Sequence, residues 1–170
     1  MYNVVGQLKK KGYHCEGLTS SDRHHPFDRE RLDWDDIAQT YIITQQMFNE
    51  VRQQVRTDID FFVSDRSAFD FYSYYEYCIE NNSHKDFIRK IVSEWVKGYD
   101  YIFVYKPLSY VDDGERPSDD FRINVDKVIM KTVKSMIDDG YPIEVVDDIP
   151  DMRDEYVIEK IIELEKNKKG

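Results

Sequence analysis

The residues best suited to chemistry in this sequence are Asp65, Arg66 and Ser67, which directly follow the apolar run 61–64. A continuous apolar run is typical of a buried parallel strand, and ligands of open α/β sheets bind where such strands end. An aspartate there can hold Mg²⁺ and an arginine can bind phosphate oxygens, as phosphoryl transfer requires. The alternative is an ordinary turn in which Ser67 or Asp65 caps the next helix.

A second group of candidates lies in and just after the loop 108–119, which is rich in Asp, Gly and Pro. Loops of about a dozen residues in compact domains are often lids or binding loops. Arg116 and Arg122 are suited to contact transferred phosphates from such a loop. The alternative is a solvated acidic loop without a ligand.

A third group consists of Glu16, Asp22 and Arg23, near the end of a predicted strand. A carboxylate here can accept a proton from a substrate hydroxyl, and Arg23 can hold a substrate phosphate. The adjacent His24 and His25 form a poor metal site, since neighbouring side chains of an extended chain diverge. The alternative interpretation is a polar loop.

An aromatic cluster around Tyr74, between residues 69 and 77, follows the first group. Aromatic rings at this spacing can stack on a base, but they are more often part of a core.

Composition limits the possible functions of the 170 residues. The hydrophobic fraction of 41% and the aromatic fraction of 14% indicate one globular domain, covering 1–170. The net charge of −10 argues against general nucleic-acid binding, because that needs a cationic face. No apolar run predicts a membrane span or a signal peptide. Cys15 and Cys78 are isolated, which favours two reduced thiols in a cytoplasmic protein.

Helices and strands alternate along the chain, which predicts an α/β fold with a parallel sheet covered by helices on both sides. In the second helix we expect one buried stripe, containing Ile37, Tyr41, Thr44, Gln45 and Phe48. The predicted helices cover about 2–11, 35–56, 68–81, 85–98, 119–138 and 151–165, and the predicted strands cover 13–19, 61–64, 101–105 and 142–146.

Three segments carry a resemblance to a known family. Residues 64–70, followed by Tyr74, form a D-R-S-x-x-D segment before an aromatic helix; residues 99–103 precede the D-D-G-x-R pattern of 112–119; and 44–50 belong to the helix that leads to the first segment. On these matches, residues 1–165 resemble the P-loop nucleoside and nucleotide kinases. The most similar group contains nicotinamide riboside kinase-like ATPases and phage deoxynucleoside monophosphate kinase-like proteins.

The resemblance implies a three-layer, parallel-sheet P-loop kinase-like fold with a lid at about 108–122. It implies a transferase that uses ATP and Mg²⁺ on a nucleoside or nucleoside monophosphate, in the host cytoplasm if phage-encoded. Asp65 would lie near Mg²⁺ and Arg66 near the phosphates. Arg116 and Arg122 would be the lid arginines. The substrate-binding residues implied are Glu16, Asp22, Arg23, Ser67, Asp70 and Tyr74.

The sequence departs from the family at its start. Residues 1–8 are similar to the helix that follows the phosphate loop, and no G-x-x-x-x-G-K-[ST] motif occurs in the chain. We therefore expect impaired or absent kinase activity from these residues alone, with the first strand and loop supplied by a longer product, a partner or an earlier start codon. ATP and Mg²⁺ are expected only in an active form.

The alternative is a non-catalytic protein that binds a nucleotide or a partner. A missing central strand leaves open strand edges, which favour a homo-oligomer or a protein partner that completes the sheet. A metal-dependent hydrolase is a third and weaker alternative, because the acidic clusters supply no ordered set of ligands.

Overall fold

The computed structural model describes residues 1–20, 25–27, 35–79, 83–105, 118–146 and 153–169. Within these ranges the chain forms six helices and four short strands. In chain order they are α1 (Tyr2–Lys10), β1 (Cys15–Leu18), α2 (Asp36–Gln54), β2 (Phe61–Ser64), α3 (Ala68–Cys78), α4 (Ser83–Val96), β3 (Ile102–Tyr105), α5 (Asp119–Asp138), β4 (Ile143–Val146) and α6 (Arg153–Lys169).

The four strands form two parallel pairs. β1 pairs with β2, with Cys15 opposite Phe61, and β3 pairs with β4, with Ile102 opposite Ile143. A helix lies between the two strands of each pair in sequence, as parallel connections require. The predicted α/β class and the parallel pairing are therefore confirmed as a mixed α/β structure with two short parallel two-stranded sheets.

Two apolar clusters cover these strands. One joins α2, α3, α4 and α5 to β3 and β4, and it includes Ile102 and Val104. The other joins α1 and α6 to the first pair, and it includes Val63 of β2 and Phe103 of β3. Because side chains alternate across a strand, the two clusters lie on opposite faces of β3.

Local signals in the sequence explain where the helices begin and end. The Asp35 carboxylate accepts hydrogen bonds from two amides at the start of α2. Ser118 caps α5, rather than the predicted Asp119 or Asp120. Gly12 and Gly140 follow α1 and α5 with φ of +91° and +82°, conformations that glycine adopts without a steric penalty.

The predicted buried face of α2 is wrong in part. Ile37 and Phe48 are 68% and 58% exposed, and Thr44 is also exposed. The opposite face turns inward because two of its polar residues find hydrogen-bond partners there. The buried residues of α2 are Ala38, Gln39, Ile42, Ile43, Gln46 and Glu50.

Most of the aromatic residues of α3 lie in the core, with Tyr75 fully buried. Cys15 and Cys78 are free, buried thiols. No helix in the described ranges combines the length and the apolar character that crossing a membrane requires.

Candidate functional site

The candidate site is built around Asp65, Arg66 and Ser67, called here the 65–67 turn. It follows β2 directly, and the amide of Asp65 donates a hydrogen bond to the carbonyl of Leu18, 3.0 Å away. Because β1 and β2 are parallel, their carboxyl ends meet at this edge. Asp65 is exposed and the side chain of Arg66 is 40% exposed, so a ligand can reach both charges.

Ser67 is the N-cap of α3, as one of the two sequence interpretations predicted. Its hydroxyl accepts a hydrogen bond from the Asp70 amide, and its own amide donates to Asp70 Oδ2 at 2.9 Å. This reciprocal capping box satisfies two amides at the start of the helix. Asp70 also lies 3.5 Å from Arg66 Nη1, so it holds the guanidinium close to the helix start.

Beneath the turn lies a buried carboxylate that sequence reasoning missed. Glu50 of α2 is fully buried and receives hydrogen bonds from three donors. Trp95 Nε1 and the Tyr99 hydroxyl donate to Oε2 at 2.6 and 2.7 Å, and Gln46 Nε2 donates to Oε1 at 2.8 Å. Burial raises the pKa of Glu50 above its ordinary value, and the three donors and the Ala68 amide oppose that effect.

Two of these donors also contact the site. Gln46 Nε2 lies 2.9 Å from the Arg66 carbonyl and 3.1 Å from Ser64 Oγ. The Tyr99 hydroxyl accepts a hydrogen bond from the amide of Ala68, the first residue of α3. The only local signal for this network was the Gln46–Glu50 pair itself, four residues apart on a helix face that also carries buried isoleucines.

Arg122 and Tyr74, two of the predicted site residues, lie on packed helices. Phe121, next to Arg122 in the first turn of α5, has its ring centroid 6.2 Å from that of Tyr74 in α3. Arg122 Nη2 lies 2.7 Å from Asp119 Oδ1. The structure therefore places the first turn of α5 against α3, the helix that begins at the 65–67 turn.

Glu16 lies away from that turn. Its Oε1 is 3.7 Å from Arg56 Nη1, and it lines a cleft of about 510 Å³ with His14 and Asp58. The cleft is formed by residues that precede β1 and β2 and by the first two residues of β1, so it lies at the amino ends of the strands. The other substrate-side candidates, Asp22 and Arg23, and the lid residues 108–117 with Arg116 lie outside the described residues.

A second cleft, of about 430 Å³, lies beside the carboxyl end of β1. Gln45 Nε2 donates to Asn49 Oδ1 at 3.2 Å, and within the described structure Gln53 Oε1 is buried without a hydrogen-bond partner. These groups are suited to bind an uncharged, polar part of a ligand that carries hydrogen-bond donors. We call this the amide cleft; its lining residues are Leu18, Thr19, Ser20, Gln45, Asn49, Arg52 and Gln53.

The two predicted cofactors fit these residues differently. No group of three or more His, Cys, Asp or Glu side chains in the described part of the chain is arranged to hold a metal ion. A single exposed carboxylate such as Asp65 fits Mg²⁺, which usually keeps waters and substrate phosphates as its other ligands. ATP fits less well, because the chain has no glycine-rich loop to hold its terminal phosphates.

Comparisons with known proteins identify no relative. No family model, curated protein or solved structure matches the chain. Membership of the P-loop kinases therefore stays a hypothesis based on the sequence motifs.

Proposed function

We propose that this chain binds a phosphate-bearing nucleoside at the carboxyl edge of β1 and β2, in a protein whose parent activity is phosphoryl transfer to a nucleoside or nucleotide. The observation that carries the proposal is the accessible Arg66–Asp65 pair at the common end of two parallel strands. Ligands of open α/β sheets bind at such ends. A guanidinium is well suited to phosphate oxygens because it donates several hydrogen bonds in one plane.

In this proposal Arg66 binds the phosphate and Asp65 holds Mg²⁺ through water and phosphate oxygens. Arg122, on the helix packed against α3, is the second cation, and Arg116 is the corresponding lid residue. Tyr74 belongs to the wall between α3 and α5. Ser67 and Asp70 act on the site by keeping Arg66 and the start of α3 in place. Arg23 and Asp22 retain their proposed places on the acceptor side, whereas Glu16 is left out of the proposal because it lies at the amino ends of the strands.

The amide cleft supports a nucleoside as the uncharged part of the ligand. It shares Leu18 with the edge where the 65–67 turn lies, because the Leu18 carbonyl accepts from the Asp65 amide. Amide and hydroxyl groups recognise sugar hydroxyls and base edges by hydrogen bonds. The buried Gln53 Oε1 is an acceptor to which such a ligand can donate.

Transfer from ATP needs groups that these residues do not contain. A phosphate loop supplies several charge-assisted hydrogen bonds, each worth about 1.5–3 kcal/mol. Without them, ATP turnover falls by several orders of magnitude at about 1.4 kcal/mol per factor of ten. We therefore propose nucleotide binding without turnover for these 170 residues, and transfer only when a strand and loop come from outside them.

A second candidate function, binding of a partner strand, is favoured by the two separate sheets. Among the described strands, β2 pairs only with β1, and β3 pairs only with β4. Val63 of β2 and Phe103 of β3 nevertheless pack in the same apolar cluster. We propose that another strand joins β2 to β3 and completes a three-layer, P-loop kinase-like sheet.

The nucleotide proposal predicts that Arg66→Ala weakens binding of nucleoside monophosphates about 10- to 100-fold, because one charge-assisted contact is lost. Titration calorimetry with a panel of monophosphates and the matching nucleosides, in the presence of Mg²⁺, measures the affinities. The nucleosides should bind more weakly than the monophosphates and should not respond to the substitution.

The matched control is Arg56→Ala, the same change at the amino end of β2, where Arg56 pairs with Asp58 at 2.6 Å. It should leave the affinities within about twofold of the original chain, as expected for an arginine that makes no ligand contact. Equal effects of the two substitutions, or no binding of any monophosphate, would contradict the proposal.

A further inference from the structure

The carbonyl of Arg66 accepts a hydrogen bond from the buried side chain of Gln46. Gln46 is fully buried, and its Nε2 contacts Glu50 Oε1, Ser64 Oγ and the Arg66 carbonyl. A backbone carbonyl only accepts hydrogen bonds, so the nitrogen of the amide, and not its oxygen, must face this group. The orientation of the Gln46 amide group is therefore coupled to the position of the Arg66 carbonyl in the 65–67 turn.

Glu50 is the residue that favours this orientation. Trp95 Nε1 can only donate, and the Tyr99 hydroxyl already accepts from the Ala68 amide, so its own proton is directed to Glu50. With these donors on Oε2, Oε1 remains as the acceptor for Gln46. Three donors around one carboxyl group match the acceptor-only, ionised form.

We propose that Glu50 is a positioning residue for the 65–67 turn, acting through the Gln46 amide on Arg66 and through the Tyr99 hydroxyl on the start of α3. The coupling is a property of the fold and does not rest on the proposed function. Its consequence, that the Arg66 guanidinium is presented in one position to an anion, does rest on it.

The substitution Glu50→Gln separates this role from simple packing, because it preserves size. A glutamine at 50 can still accept from Trp95 and Tyr99 with its oxygen, but its nitrogen then faces the nitrogen of Gln46. Two donors cannot pair, so the Gln46 amide turns, and the Arg66 carbonyl keeps only the hydrogen bond from the Ser64 hydroxyl. The indole of Trp95 keeps its hydrogen bond.

Hydrogen exchange followed by NMR on the full chain, without ligand, tests the proposal. In Glu50→Gln we expect the amides of Asp65 and Ser67 to exchange about tenfold faster, the effect of losing one hydrogen bond that holds the turn. The Trp95 indole resonance should persist. The Ile102 amide, which donates to the Pro142 carbonyl at 2.8 Å in the other sheet, should exchange at its original rate.

Glu144→Gln is the matched control, since Glu144 also accepts hydrogen bonds from two hydroxyls, those of Tyr101 and Tyr156, but lies on β4. It should leave the turn amides unchanged. Unchanged exchange in Glu50→Gln, or equal acceleration in both variants, overturns the proposal. Should Glu50→Gln not fold, Tyr99→Phe removes only the hydroxyl, and it should accelerate exchange of Ala68 while sparing Ile102; unaltered Ala68 exchange overturns the proposal.

The response to pH provides an independent readout. The groups that face Glu50 are Gln46, Trp95, Tyr99 and the Ala68 amide. The charged side chains at the adjacent turn are Asp65, Arg66 and Asp70, and the last two pair with each other. Burial raises the pKa of Tyr99, so its hydroxyl stays protonated in the range tested. The response of Glu50 is therefore read as the part of the pH dependence below neutral pH that Glu50→Gln removes.

Burial raises the pKa of Glu50 above 4.5. The direction of this shift determines how the contribution of Glu50 to stability changes with pH. The stability that this group contributes is fully present below the unfolded-state pKa and is lost as the pH rises through the folded-state pKa. The effect on the 65–67 turn has the opposite sign, because protonation adds a hydrogen-bond donor to a carboxyl group that already accepts from three donors. As the pH falls through the folded-state pKa, the turn amides should lose protection, corrected for intrinsic exchange, while overall stability from this group increases.

The Trp95 indole resonance should titrate with the same midpoint, above 4.5, and both transitions should be absent in Glu50→Gln. A pH dependence of the Asp65 and Ser67 amides that is as large in Glu50→Gln as in the original chain overturns the proposal.

Discussion

The residues of the 65–67 turn have two different roles, helix capping and the presentation of charge to solvent. Ser67 is used locally, since it forms a capping box with Asp70. Asp65 and Arg66 retain solvent-accessible charge. The two interpretations of this segment, a phosphate site and a helix cap, are therefore compatible, because they concern different residues.

The capping role predicts the effect of Ser67→Ala. Loss of the cap should lower the free energy of unfolding by about 1 kcal/mol, within the usual range for N-caps. Urea denaturation measures the change. Ser118→Ala is the comparison, because Ser118 caps α5 through one hydrogen bond without the reciprocal contact, and it should cost less. A stability unchanged by Ser67→Ala would show that the box contributes nothing.

Among the elements, α2 shows how polar contacts can decide which face of a helix is buried. Its apolar residues occur on more than one side, so periodicity alone does not decide which face is buried. Gln46 and Glu50 find four partner groups inside the molecule, whereas Phe48 remains 58% exposed. The inward face is thus the one whose polar groups can be satisfied.

This orientation predicts opposite outcomes for two apolar residues of α2. Ile42→Ala should lower the free energy of unfolding by about 2–5 kcal/mol, since Ile42 is 1% exposed and packs in the core. Phe48→Ala should change it by no more than about 0.5 kcal/mol. Urea denaturation of both variants measures the difference. Comparable losses would mean that α2 is rotated relative to the structure.

At the scale of the whole molecule, the two parallel pairs leave strand edges without partners among the described strands. Unpaired edges present rows of amide and carbonyl groups to other chains. Proteins usually cover such edges, so their presence here favours association with a partner strand or with a second copy.

The open edges predict that the purified chain associates with itself. Light scattering over a range of concentrations should give a mass that rises above the 20.4 kDa of one chain. Phe48→Ser removes the largest exposed apolar side chain of α2 and is the control, since association through strand edges should survive it. A mass that stays at one chain, or association that disappears in Phe48→Ser, would argue against the edges as the contact.

The sequence by itself determined the order and approximate bounds of helices and strands and the α/β class, and it narrowed the cap of α3 to Asp65 or Ser67. These features depend on apolar runs, glycines and hydroxyl side chains whose effects extend over a few residues. Only the tertiary structure decided the buried face of α2 and the support beneath the turn. Glu50 accepts hydrogen bonds from Trp95 and Tyr99, which lie 45 and 49 residues away in the sequence. The cost of burying a carboxylate is offset only when such distant donors converge on it.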